Sequence, residues 1–341
     1  MFERKTKQKK VGDTFSELQN LATLMSRKNH KNRLMIMNDM KKCKKKYGCS
    51  YEEYYFYRFD ELSEEEKDTI ITKDKNQIFI DHFNAKAKAS VWHEKKDLYK
   101  NFNTSLKREF LYLTGDNLEM FQKYAKSHQE MIAKTNEHLS RTQIRKVVLT
   151  EHMKADKVYE GLMEKNLTIL DEVIIQHPKM KELYPKSVNT IEFITLKNKG
   201  KVHITSAILK IGHGTIVDNV YYGGMLAKID LKTGIVMTKA VDYRDHLYTT
   251  HPSSKTKIVD FEIPCFQAAK EFVLNLALKT NDASYISWNI AITEDGPVFV
   301  DASITPNWYQ FPEFIKDKKG KLKEMELVYG KKIEFESKRT K

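Results

Sequence analysis

The tripeptide Glu294-Asp295-Gly296 sits between two apolar runs, residues 288–291 and 297–300. An Asp-Gly step flanked in this way is a strong short-range signal for a β-hairpin, because glycine accepts the positive φ that a tight turn needs. The hairpin commits this half of the chain to antiparallel sheet. Runs of the same kind precede it at residues 190–195, 202–209, 224–230 and 234–238, and residues 285–292 extend the first hairpin strand. A helix is expected over residues 266–278.

The first half reads differently. Phe15, Leu18, Leu21, Leu24 and Met25 recur at helical spacing, and one helical stretch is expected over residues 14–47. Tyr51, Tyr54, Tyr55, Phe56, Tyr57 and Phe59 form an aromatic cluster, read as packing of a helix rather than as stacking platforms for RNA bases. Ser63 to Glu66 reads as a helix start. Residues 131–134 and 146–149 read as a second hairpin, and residues 168–175 as a strand that becomes a linker. Helices, a small α/β lobe and then a larger antiparallel sheet give an α+β fold with a cleft between lobes. The expected divisions are a basic helical region 1–89, a preceding subdomain with the small lobe 90–175, a large lobe 176–312 and a basic extension 313–341.

No apolar run approaches the ~18 residues of a membrane span, and Met1 to Lys10 lacks the apolar core of a secretory signal. Cys43, Cys49 and Cys265 offer neither a disulfide framework nor a CxxC pair. A cytoplasmic protein is expected. Of the net charge of +13, +10 falls in residues 1–50, which carry fourteen Lys/Arg against Glu3, Asp13, Glu17 and Asp39. This basic arm is either a solvated helical face or a weak contact for anionic membrane. Nucleic acid is the poorer partner.

In the hairpin, Asn289 on one strand and Asp301 and Ser303 on the other can share a face, the last two by their i, i+2 spacing. Converging oxygen ligands suit Mg²⁺ that bridges nucleotide phosphates. A polar solvent face fits the same pattern, and both readings stand.

The run from Asp171 to Pro178, followed by Leu183 to Ile191, resembles the sugar-transfer-associated ATP-grasp family, which is related to α-L-glutamate ligases. Val217-Asp218-Asn219 with Gly223-Gly224, Asp230 with Thr233-Gly234, His251-Pro252-Ser253-Ser254, Ile263-Pro264, and Trp288 through Pro297 continue the resemblance in order, over roughly residues 90–310. The resemblance implies an ATP-grasp fold that holds ATP, with Mg²⁺, between two α+β lobes. It also implies activation of a carboxylate as an acyl phosphate, within cell-surface polysaccharide or sugar-transfer biosynthesis, with a sugar-linked or amino-acid-like substrate. Lys134 is similar to a phosphate-reaching lysine, and Lys95, with Lys96 as its alternative, to an earlier one. Asp171, Glu172, Val173 and Ile174 correspond to the adenine-binding linker, and Gln176 or His177 would lie near the ribose. Asn289, Asp301 and Ser303 take the metal-ligand positions. Lys134, Glu192, Asp218 and Asn219 are the implied catalytic candidates, and His251 either positions substrate or is structural.

Four residues, in three motifs, depart from the family pattern. Asn289 replaces an aspartate, Asp301-Ala302-Ser303 replaces Glu-x-Asn, and Glu192 replaces an arginine. The loop from Thr135 to Ile144 also lacks glycine. Losing one carboxylate weakens a Mg²⁺ site. Two expectations follow: an ATP-dependent ligase, or a degenerate ATP-grasp protein that binds nucleotide or a partner without turnover.

Overall fold

The computed structural model describes residues 13–137 and 144–333. Met1 to Lys10, the middle of the loop after Lys134 and the end of the C-terminal extension lie outside the described residues. The chain divides into two compact units, Met1–His82 with Trp308–Lys341, and Phe83–Asn307.

The first unit opens with α1 (Phe15–Asn29) and α2 (Arg33–Tyr47). The single helix expected over residues 14–47 is therefore broken. His30 takes a left-handed conformation with φ 54°, and the Asn32 side chain accepts from the backbone N–H groups of Leu34 and Met35. An asparagine at this point restarts the helix by capping it. Capping boxes at Ser50/Glu53 and Ser63/Glu66 open α3 (Tyr51–Phe56) and α4 (Glu64–Asp68), and α5 (Lys73–Phe83) follows. Tyr47, Tyr54, Tyr57 and Phe59 are buried with Leu18, Ala22, Met25, Ile36 and Met40, so this aromatic cluster is core.

The second unit begins with three short helices, α6 (Ala89–His93), α7 (Lys95–Asn101) and α8 (Asn103–Leu106). β1 (Phe110–Tyr112), α9 (Leu118–Ser127), β2 (Glu130–Lys134), β3 (Ile144–Val148), α10 (Ala155–Glu164) and β4 (Ile169–Glu172) then build the small lobe. Its sheet runs β1-β4-β2-β3, antiparallel throughout. Phe121, Tyr159 and Leu162 of the two helices bury Leu111, Met131 and Leu170 of the strands.

After α11 (Pro178–Leu183) comes the larger lobe. Its strands are β5 (Thr190–Asn198), β6 (Lys201–Ile211), β7 (Met225–Lys228), β8 (Ala240–Asp242), β9 (Leu247–Tyr248), β10 (Tyr285–Thr293) and β11 (Gly296–Ser303), with α12 (Phe266–Lys279) between β9 and β10. The order is β11-β10-β5-β6-β7-β8-β9, again antiparallel. The run at 234–238 is not a strand. Ile235 and Val236 make only isolated bridges, because Asp230 caps the backbone of Lys232 and Thr233 and Gly234 turns the chain at φ 78°. The chain ends in the first unit with α13 (Leu322–Tyr329), which buries Met325. Among the described residues no helix is long and apolar enough to cross a membrane.

Side chains on successive strand residues point to opposite faces. On one face of the large sheet Ile191, Phe193, Leu209, Trp288, Ile290 and Phe299 are buried in the core that includes α12. The other face carries Thr190, Glu192, Lys210, Asn289 and Asp301.

Candidate functional site

In the small lobe the strand ladders bring Lys134, at the end of β2, beside β4, which carries Asp171. The Lys134 ammonium pairs with Asp171 Oδ2 and donates to the Tyr99 hydroxyl at 3.1 Å. Arg108 Nη2 lies 3.4 Å from the same Asp171 oxygen, and Tyr99 donates to it at 3.1 Å. Asp171 is 1% exposed. Burial alone pushes its carboxyl upward, but the cations of Lys134 and Arg108 outweigh this and hold it below the usual Asp range. Asp171 Oδ1 is buried with no hydrogen-bond partner among the described residues. Glu172 accepts from Glu109 N at 2.9 Å, and Val173, Ile174 and Ile175 run on beyond the ladders.

Across the large sheet three candidates stand in a row. Asp301 pairs with Asn289, and Asn289 with Glu192, on β11, β10 and β5. A bulge makes this possible. Ile290 pairs with Phe299 and Asn289 with Asp301, so Val300 is the extra residue. Regular pairing from the turn would set Val300 against Asn289 and send Asp301 to the core face.

Two lysines hold the row. Lys95 Nζ meets Asp301 Oδ2 at 2.7 Å, whereas Lys96 stays near Glu94 and Asp97. Lys210, on β6, donates to Asn289 Oδ1 at 3.1 Å and to Glu192 Oε2 at 3.3 Å. Burial opposes the Lys210 charge, but Glu192 and Asp218 more than compensate and raise it above the ordinary lysine value. Ser303 lies two residues beyond Asp301, where its hydroxyl pairs with Thr305 Oγ1 at 2.9 Å.

Arg108 joins the two clusters. While Nη2 faces Asp171, Nη1 donates to the Phe299 carbonyl and Nη2 reaches the Val300 carbonyl at 3.5 Å. The residue that anchors the small-lobe acid thus also holds the bulge that aims Asp301.

Asp218 accepts from Thr190 N at 3.0 Å and from its hydroxyl. Burial pushes its carboxyl up, against the pull of Lys210 and Thr190. Asn219 caps the turn 220–222 by accepting from Tyr221 N at 2.8 Å. A side chain at Gly224 would lie 2.5 Å from the Asp218 carbonyl, so this glycine serves the loop's own close packing. His177 caps α11 by accepting from Lys179 N, and Gln176 is spent on Tyr184, Ser187 and Asn189. His251 is buried. Its Nδ1 accepts from Ser253 N and Ser254 N, so Nε2 donates to the Gly212 carbonyl at 2.9 Å, a structural role.

Lys210, Arg108, Tyr99 and Thr190 were not site candidates on sequence. Lys210 had a signal, a lone lysine in the apolar run Ala207-Ile208-Leu209-Lys210-Ile211. The partners of Arg108 lie 63 and 191 residues away, so no spacing between neighbours reports its role.

A family profile described as sugar-transfer associated ATP-grasp matches residues 131–310, more than half of the chain. Comparison with curated protein sequences finds no match. Similar solved structures include N5-carboxyaminoimidazole synthase from Aspergillus clavatus in complex with ADP and 5-aminoimidazole ribonucleotide. It is 10% identical, with a TM-score of 0.41 over 73% of this chain and 54% of that one. D-alanine–D-alanine ligase from Bacillus anthracis is 12% identical, with a TM-score of 0.41 over 71% and 67%. L-amino acid ligase from Bacillus licheniformis is 11% identical, with a TM-score of 0.37 over 67% and 42%. The chain thus spans about half the length of the first of these.

Proposed function

We propose, for a chain that belongs to the sugar-transfer associated ATP-grasp family, that the second unit binds ATP and activates a carboxylate for attack by a nucleophile. The reading is carried by one observation. The row Asp301–Asn289–Glu192, flanked by Lys95 and Lys210, is joined through Arg108 to the Lys134–Asp171 pair.

The residues fit the nucleotide. The buried oxygen Asp171 Oδ1, without a hydrogen-bond partner among the described residues, is an acceptor of the kind an adenine amino group satisfies. Lys95 and Lys134 are point charges on flexible stems, suited to phosphate oxygens. Their present carboxylate partners would yield them to a more highly charged anion. The donor set at the sheet also fits Mg²⁺, for it consists of oxygens alone. Asp301, Asn289 and Ser303 would hold the ion, which supplies neutralisation of phosphate charge when bound. Glu192, adjacent in the row, orients Lys210. In the reaction the terminal phosphoryl group of ATP passes to a carboxylate oxygen, ADP leaves, and the nucleophile then displaces phosphate. The substrate proposed is sugar-linked or amino-acid-like, in cell-surface polysaccharide or sugar-transfer biosynthesis.

A second reading, nucleotide binding without turnover, is favoured by Asn289, which offers an amide to Lys210 where the family places a carboxylate. Measurement of ADP release with and without Mg²⁺ separates the two. Mg²⁺-dependent release supports the ligase, ATP binding with no release supports the second reading, and no binding overturns both.

A further inference from the structure

We infer that the tip of the α1–α2 hairpin in the first unit is a docking surface for an anionic lipid bilayer. Residues 18–38 contain no acid, while Arg27, Lys28 and Arg33 gather within a few residues of the turn, and the further cation there, Lys31, is paired with Asp60. Leu24, Leu34 and Met35 are 50%, 62% and 72% exposed beside them. At a rise of ~1.5 Å per residue, each lies within about 8 Å of the turn along its helix axis. Cations and exposed aliphatic side chains at one turn complement a bilayer in two ways, through its negative surface and its acyl boundary.

The tip is a built feature. Ser26 Oγ donates to the Lys31 carbonyl at 2.7 Å. Asn29 Nδ2 and Lys31 Nζ both reach Asp60 Oδ2, at 3.1 and 2.9 Å. Asn32 caps α2. The opposite sides of the two helices are committed to the core through Leu21, Ala22, Met25, Ile36 and Met37, so the exposed residues are not needed there.

The charge at the start of α2 runs against the helix's own preference. A helix N-terminus favours acidic side chains, yet the first turn of α2 has none and opens with Arg33. Local helix stability does not explain that cation, whereas an external anionic surface does. The apolar component distinguishes the bilayer from nucleic acid. Single-stranded nucleic acid rewards aromatic stacking platforms, and the exposed apolar residues here are leucine and methionine.

The test is co-sedimentation of the full chain with vesicles of phosphatidylcholine alone and of equal parts phosphatidylcholine and phosphatidylserine. The variants are the double substitution Leu34→Glu/Met35→Glu, the double substitution Arg27→Glu/Arg33→Glu, and deletion of residues 1–12. Acids at positions 34 and 35 enter an exposed first turn that favours them, so the fold survives. The inference expects binding to the anionic vesicles only, a fall of about tenfold or more for each double substitution, and retention of most binding by the deletion. Unchanged binding by Leu34→Glu/Met35→Glu, loss confined to the deletion, or no binding by the wild type overturns it. So does binding of a single-stranded RNA that depends on Arg27 and Arg33 but not on Leu34 and Met35.

Discussion

Asn289 and Asp301 stand directly opposite one another on β10 and β11 because Val300 is looped out as a bulge between regular stretches of pairing. Arg108 donates to the carbonyls of Phe299 and Val300 at that bulge and pairs with Asp171. Arg108→Met should therefore lower unfolding free energy by about 3 kcal/mol, since it leaves a buried carboxylate short of one cation and two carbonyls short of a donor. Urea denaturation measures this. A loss under about 0.5 kcal/mol would mean that the bulge supports itself.

Asn289 occupies the middle of a row whose ends are the carboxylates of Asp301 and Glu192. Asn289→Asp adds a charged oxygen ligand there and gives Lys210 a second carboxylate partner. Nucleotide affinity should become more dependent on Mg²⁺, by about tenfold, because carboxylates are the preferred protein ligands of this ion. Titration of nucleotide at several Mg²⁺ concentrations checks it. An unchanged Mg²⁺ dependence removes Asn289 from the metal position.

Glu53 accepts from Ser50 N at 2.8 Å and Lys73 N at 2.9 Å, yet burial pushes its carboxyl up to about 7. The unfolded carboxyl titrates near pH ~4.3. The folded state therefore holds the extra proton between these values. The associated stability is fully present below about pH 4.3 and is lost as pH rises through about 7. Wild-type urea midpoints should fall across that window relative to those of Glu53→Gln, which keeps the cap but does not titrate. Parallel pH profiles for the two proteins would contradict the assignment.

Much of the fold was legible because it is written locally. The Glu294-Asp295-Gly296 turn and the strands beside it announced the hairpin, and both lobes followed from the order of such runs. The bulge at Val300 was not legible: counting from the turn places Asp301 opposite Trp288, on the core face. The break at residues 30–32 was written in the capping residue Asn32 but masked by helical spacing on either side of it. Lys95, Lys134, Asp171, Glu192, Asn289 and Asp301 are named on sequence through the family resemblance, but the pairing that sets the last three in one row depends on the bulge, which no local pattern reports. Lys210 and Arg108 act through partners on other strands, so no spacing between neighbours reports what they do.

On the proposed function, the second unit holds ATP between the Lys134–Asp171 cluster and the Lys95–Asp301 row. Calorimetric titration of ATP, in the presence of Mg²⁺, into wild type, Lys134→Ala and Lys95→Met tests it most directly. The wild type should show a single site, weakened about tenfold or more by each substitution as a charge-assisted phosphate contact is lost. ATP binding of equal strength in all three proteins, or none in the wild type, would contradict it.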